Sequence, residues 1–256
     1  MRKSLTVFLL VFCGCASFSD PGTGPIDRSD MPLRYNHVRG NIHTVEDFNY
    51  WKTNSVIYAH PDGIVIIDST WSPKTASLVL WHAATLSFGN FLGLIITEYP
   101  LYRSGGAGVF KASGVEIFAQ TKTARRMVDN WDAMQRDMRK SFSSWRGTEA
   151  LQPDTTFDRE LRLLDGKIIA IYPGDAHAPG NTVIYFPEEK VLYGGSLISS
   201  PPMFLENASP AKYREVMDQI LKLDFDLVIC GHGKTLEKRD IISRMESEIA
   251  AHYSHP

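Results

Sequence analysis

A chain of 256 residues that is 43% hydrophobic and 22% charged has the composition of a folded globular protein, not of a disordered or fibrous one. That length accommodates one layered domain with a sizeable core. A formal net charge of −2 argues against a dedicated nucleic-acid surface.

The first residues read as targeting sequence. Arg2 and Lys3 precede the apolar run from Leu5 to Phe12, a charged region and short hydrophobic region of the kind that directs secretion. The run is too short to cross a bilayer, which takes about 20 apolar residues. Phe12-Cys13-Gly14-Cys15 resembles a bacterial lipobox, with the small Gly14 just before Cys15 as the lipid acceptor; Cys13 is the alternative acceptor, and plain signal cleavage the alternative event. Residues 1–15 are therefore expected to be a lipoprotein signal. The partner so implied is a membrane, held through lipid on Cys15, in a bacterial cell envelope. The absence of Asp after Cys15 points to the outer membrane. Residues 16–33, with Ser, Asp, Pro and Gly in close succession, are expected to form a flexible tether. With Cys15 lipidated and Cys13 removed, Cys230 is the remaining thiol, and its place after Leu227-Val228-Ile229 predicts a buried small hydrophobe.

From residue 34 onward the pattern alternates between strand and helix periods. Strands are expected over Val38–Val45, Ser55–Ala59 and Ile64–Asp68, then a helix over Pro73–Thr85 and a strand over Leu92–Thr97. A helix follows Ser104, a strand covers Val115–Ala119, and Lys122–Phe142 reads as one long amphipathic helix. Its Met127, Trp131, Met134 and Met138 form a stripe expected to pack inward, and Arg136, Arg139, Lys140 and Arg146 are expected to be a solvated face. Strands are expected near Glu160–Leu164, Lys167–Tyr172, Thr182–Phe186 and Val191–Gly194. A helix over Pro210–Leu223, a strand over Leu227–Cys230 and a helix over Lys234–His252 close the chain.

Five segments carry the candidate chemistry. Asn54 to Thr70 holds two apolar runs around Pro61-Asp62-Gly63, and Thr97-Glu98-Tyr99-Pro100-Leu101-Tyr102-Arg103-Ser104-Gly105-Gly106 follows the strand expected at Leu92–Thr97. Downstream stand Tyr172-Pro173-Gly174-Asp175-Ala176-His177, Tyr193-Gly194-Gly195-Ser196 and Cys230-Gly231-His232-Gly233. Taken in this order, from about Val38 to His252, the blocks resemble the metallo-β-lactamase superfamily, most closely its zinc β-lactamases with a cysteine ligand. The resemblance implies an α/β fold, the αββα sandwich of two mixed sheets flanked by helices, over residues 34–256.

In that family the first metal loop reads Thr-His-x-His-x-Asp, then His or Arg and a Gly-Gly pair. The resemblance places Glu98, Pro100 and Tyr102 at its three ligand positions and Arg103 at the arginine. It places His177 at the third histidine of the first metal, Ser196 at the cysteine or aspartate of the second, and His232 at that metal's last histidine. Two of the six ligands persist, one from each metal. Proline offers no side-chain donor, and tyrosine binds metal only as a phenolate, against a reference pKa near 10. Ser196 is a poor zinc donor for the same reason, and Arg103 adds a permanent positive charge.

The expectation is therefore a degenerate metal site without a cofactor, in a binding or structural module whose Arg103, His177 and His232 line a cleft favouring a small anionic ligand. The alternative is a zinc hydrolase using a reduced Glu98/His177/His232 site with one zinc, to which Asp175 is a possible fourth contributor. A metal-free hydrolase would use His177 or His232 as general base and Arg103 to stabilise an oxyanion. Asp68, at the end of an apolar run, is expected to orient the metal loop. His37, His43, His60, His82, His252 and His255 show no ligand spacing and read as surface or packing residues.

Overall fold

The computed structural model describes residues 33–48, 52–141, 149–200, 210–241, 243, 244 and 247. The signal, the lipobox cysteines, nearly all of the tether, Arg146, His252, His255 and part of the last expected helix lie outside the described residues.

Two sheets form the centre. The first has seven strands in chain order: β1 (Leu33–Arg39), β2 (Ile42–Asp47), β3 (Thr53–His60), β4 (Gly63–Ile67), β5 (Phe91–Ile96), β6 (Ile117–Gln120) and β7 (Thr155–Phe157). β1 to β4 form an antiparallel meander, and β4 to β7 run parallel. The second sheet comprises β8 (Glu160–Leu163), β9 (Ile168–Ile171), β10 (Val183–Phe186), β11 (Val191–Tyr193), β12 (Leu227–Ile229) and β13 (Leu236–Glu237), ordered from β8 at one edge to β13 at the other. Only β11 and β12 pair in parallel there.

The sheets pack face to face on Ile42, Val56, Tyr58, Val65, Ile67, Ile95, Ile168, Ile184, Phe186 and Ile229, all fully buried. Each such aliphatic side chain contributes about 1.5–3 kcal/mol of transfer free energy. The outer face of the first sheet carries Ile57, Ile64, Ile66, Leu94 and Ile96 under α1 (Pro73–Leu86), which buries Ala76, Val79 and Ala83. This double burial is why β3 and β4 read as continuous apolar runs instead of alternating ones. α6 (Pro210–Ile220) covers the second sheet with Val216, Met217 and Ile220 on Leu192, Val228 and the buried Cys230. Helix, sheet, sheet and helix in layers make the αββα sandwich that the resemblance implied.

Local chemistry sets the ends of α1. Ser72, in extended backbone, accepts from the Thr75 N–H at 3.3 Å, and Pro73 begins the helix where its missing N–H costs nothing.

Three expectations need correction. The single strand over Val38–Val45 is two strands of a hairpin, because Gly40-Asn41 is a turn dipeptide and Gly40 adopts φ +54°. The long helix over Lys122–Phe142 is two, α4 (Thr121–Asp129) and α5 (Trp131–Ser141), divided at Asn130, whose non-helical backbone caps the first. The closing helix begins only at Lys238, since Leu236 and Glu237 pair with β12. The methionine stripe divides at the same break: Met127 joins the core under α4, whereas Met134 and Met138 pack with Leu101, Trp71, Tyr99 and Trp131. Arg136, Arg139 and Lys140 are exposed, as expected of a solvated face.

Candidate functional site

The site lies where the parallel strands β4, β5, β6 and β11, β12 end, the position at which open α/β sheets present loops. Beyond β4 the chain turns sharply, with Asp68 at φ +62° and Thr70 at φ +65°, a left-handed conformation that non-glycine residues adopt at a cost. Bonds hold it there. Asp68 N–H donates to Ile95 O at 2.9 Å and Ser69 N–H to Arg103 O at 2.7 Å. The Asp68 carboxylate accepts from the Thr97 N–H at 2.8 Å, the Thr97 hydroxyl at 2.8 Å and the Tyr193 hydroxyl at 2.7 Å.

Past β5, Thr97 to Pro100 leads into the single turn α2 (Leu101–Ser104) and then, through Gly105 and Gly106, into α3 (Ala107–Ala112). The glycine pair is dictated by contact: a Cβ on Gly105 would meet Trp71 O at 2.3 Å, and one on Gly106 would meet Ser69 O at 2.4 Å. The turn at Asp68–Ser72 and the loop at Glu98–Gly106 are thereby pressed together.

Arg103 is the centre. Its side chain is fully buried, and each of its five N–H donors has a protein acceptor. Nε donates to Glu98 Oε1 at 3.2 Å; one terminal nitrogen donates to Asn54 O at 2.7 Å and the Tyr193 hydroxyl at 2.8 Å; the other donates to Ser196 Oγ at 3.1 Å and Gly231 O at 3.0 Å. Asp68 Oδ2 lies 3.6 Å from Nε. One guanidinium thus ties β3, the loop after β5, the Gly195–Leu197 turn and the loop after β12.

Glu98, also fully buried, is held by Arg103, by the Ser196 hydroxyl and by Asn181 Nδ2 at 3.1 Å, and its Oε2 lies 3.8 Å from His177 Nε2. Burial alone would raise its pKa, but His177, Arg103, the Ser196 hydroxyl and His232 outweigh that and hold it below the usual carboxylate value. For Asp68 burial wins over Arg103, Thr97 and Tyr193, and the carboxyl is pushed up to about 6. Burial likewise holds the Tyr193 hydroxyl well above its ordinary value, so it remains a donor.

The remaining ligand-position residues converge on the same place. The Tyr102 hydroxyl is 3.5 Å from Ser196 Oγ, and its ring stands edge-on to His232 at 5.5 Å. His232 is 1% exposed, with Nδ1 3.4 Å from Thr53 Oγ1. His177 stays part-exposed on a loop pinned by Asp175, which accepts from Tyr172, Lys122 and the Gly180 N–H. Pro100 forms the N-terminal cap of α2 and brings no donor. Among the described residues, no three His, Cys, Asp or Glu side chains are arranged to hold a metal ion.

The sequence reading sets Arg103 on a cleft wall beside His177 and His232; in the structure its side chain is fully buried. A guanidinium at such depth is stable only with its donors satisfied, and satisfying them leaves none for a ligand. Asn54, Asn181 and Tyr193, which complete the network, were given no role by the sequence, although Asn54 and Tyr193 open two of the blocks that carry the resemblance.

Comparison with known proteins agrees with this architecture. The sequence profile described as the metallo-beta-lactamase superfamily matches residues 104–232. The chain is 26% identical over 192 residues to a metallo-beta-lactamase type 2 of Bacillus sp. (strain 170), covering 73% of this chain and 68% of that protein. It is 25% identical over 247 residues to the 2,4-dinitroanisole O-demethylase subunit alpha of Nocardioides sp. (strain JS1661), covering 91% and 70%. Among solved structures, DIM-1 metallo-beta-lactamase exposed to ceftazidime superposes with a TM-score of 0.68 at 21% identity, over 87% of this chain and 99% of that one. With the layered fold, the converging loops and the profile match over half its length in agreement, the chain belongs to the metallo-β-lactamase superfamily.

Proposed function

We propose that this is a cell-envelope lipoprotein in which the superfamily's zinc centre has given way to an internal ion cluster, leaving a non-hydrolytic binding or structural module. The observation that carries the reading is the complete use of the Arg103 donors on protein acceptors, with Glu98 locked against the guanidinium. A zinc ion takes about three or four protein donors near 2.0–2.3 Å. The residues at the six ligand positions do not fit two such ions: Pro100 has no donor, Tyr102 and Ser196 are hydroxyls, and Glu98 is already bonded to Arg103, Ser196 and Asn181. A buried permanent cation in the same pocket opposes a second one.

Protein purified without a tag is expected to carry far less than one zinc per chain, before and after dialysis against zinc, and to leave nitrocefin unhydrolysed. Stoichiometric zinc measured by atomic emission would sink the proposal. A second reading, a zinc hydrolase built on Glu98, His177 and His232, rests on the 3.8 Å approach of His177 to Glu98. It requires turnover that disappears on chelation and in His177→Ala.

The envelope part of the proposal rests on the Arg2-Lys3 and Phe12-to-Cys15 segments. Cys15→Ala is expected to move the protein from the membrane pellet to the soluble fraction, because several acyl chains at roughly 0.8 kcal/mol per buried CH₂ are lost. Retention in the pellet at the wild-type level, with Cys13 also replaced, would refute the lipid anchor.

A further inference from the structure

Three histidines with no shared spacing in the sequence lie near one another on the outer face of the first sheet, close enough for His37 and His82 to act electrostatically on His43. His37 of β1 and His43 of β2 are direct cross-strand partners with ring centroids 5.0 Å apart, and His82 of α1 lies with its ring 3.8 Å from that of Tyr35, two residues before His37 on β1. The face is the one that carries α1, as Tyr35, Val45 and Ile57 show by packing with Val79 and Ala83. β1 is an edge strand among the described residues, held by the β2 ladder, by its contacts with α1, by Val38 against the core between the sheets and by Arg39, which reaches Asp226 and Glu189 O.

We propose that His37, His43 and His82 form an acid-sensitive latch, which holds the edge strand β1 against β2 and α1 while the imidazoles are neutral and loosens it when they take up protons. Directly opposed like charges destabilise a strand pair, and histidine is the side chain that acquires such charge near neutral pH. Few charges on the packed elements offset them. On β1 the neighbouring Arg34 is turned to Glu46 at 3.6 Å, and Arg39 to Asp226 and Glu189 O. On β2 the carboxylate of Asp47 acts on Tyr35, whose hydroxyl it and, more strongly, burial raise to about 12. β3 presents apolar Ile57 and Ala59, and on α1 the basic Lys74 is exposed in the first turn.

The electrostatics run in the same direction. Burial, then His37 and His82, lower the pKa of His43, and burial lowers that of His82. A group whose folded pKa is depressed contributes stability that is present above its unfolded value, about 6.5 for histidine, and is lost as pH falls through the folded value. The window is therefore the slightly acid one. Asp68 also titrates there, so a local readout is required.

The test is hydrogen exchange of the full chain at pH 7.5 and 5.5, corrected for intrinsic rates and resolved by peptide. The proposal expects protection of residues 33–39 to fall about fivefold or more relative to the β3–β5 core, and to fall much less in His43→Gln and in His82→Gln. Equal loss in wild type and both variants, or unchanged protection of β1, would overturn it. An imidazole NMR titration of the wild type gives a check independent of any variant: a His43 midpoint at or above that of a free histidine would overturn it as well.

Discussion

Arg103→Met is expected to lower the unfolding free energy by about 3–5 kcal/mol, the cost of leaving a buried charge without its partner. Two carboxyl groups depend on this guanidinium, Glu98 at 3.2 Å and Asp68 at 3.6 Å, and both have no exposure to water. Methionine matches the stem but returns nothing to Asn54 O, Gly231 O or the Tyr193 hydroxyl, which lose their donor in a dry interior. Arg103→Lys retains the charge yet cannot reproduce a planar fork that reaches five acceptors, so it should also destabilise, by less. Urea unfolding at constant m-value measures both. The discriminating variant is Arg103→Met combined with Glu98→Gln: if the ion pair is the reason for the loss, the double variant is more stable than the sum of the two single changes predicts. Additive losses would show that the Glu98 pair is not the reason, and that Asp68 and the acceptors Asn54 O, Tyr193, Ser196 and Gly231 O carry the loss. Because typical domains hold only about 5–15 kcal/mol in total, the single change should lower the midpoint visibly while leaving a folded protein to measure.

Gly231→Ala is expected to cost about 3 kcal/mol for a steric reason. A Cβ there would stand 2.1 Å from Gly195 O, 2.3 Å from Gly195 C and 2.4 Å from a terminal nitrogen of Arg103. Two of these atoms are backbone, and the Gly231 N–H itself donates to Gly195 O at 2.9 Å, so the methyl cannot be accommodated by a side-chain rotation. The two loops must separate, and with them Ser196, which follows Gly195, and His232, which follows Gly231. Gly114→Ala serves as the control: nothing lies within 4 Å of the added methyl, and its penalty is the left-handed backbone alone at φ +76°, about 1–2 kcal/mol. A Gly231→Ala protein as stable as the Gly114→Ala one would mean that the two loops are not in the contact described.

The two predictions probe one device. In a metal-centred site, cations draw loops from both sheets toward one point. Here a guanidinium draws Asn54 O, Glu98, Tyr193, Ser196 and Gly231 O together, and the Gly231–Gly195 approach is close enough to exclude even a methyl group.

Individual strands were legible in the chain because burial on both faces leaves a direct mark, whereas their αββα layering was implied by the family resemblance. Ile64 to Ile67 is a run that only a strand covered on both sides tolerates, and Ser72-Pro73 announces the start of α1. The converging loops were legible too, as glycine-rich blocks in a particular order. Breaks within elements were less so: Gly40-Asn41 and Asn130 interrupt patterns that remain hydrophobic on either side, and periodicity averages over single residues. Helix α5 packs Met134 and Met138 onto Leu101 only because the chain bends at Asn130.

By itself the sequence determined which side chains the resemblance sets at the ligand positions, and Pro100, Tyr102 and Ser196 are by their chemistry neither imidazole, carboxylate nor thiolate. What only the tertiary structure decided is where Arg103 points and which histidines lie near one another. The direction of a long side chain depends on acceptors contributed by residues 49 to 128 positions away, such as Asn54 O and Gly231 O, and no local pattern encodes them. His37, His43 and His82 likewise lie on three elements whose contact exists only once the hairpin has formed and α1 has packed against it. Composition limits the chemistry available; through-space geometry determines which groups are spent on holding the fold and which remain to act.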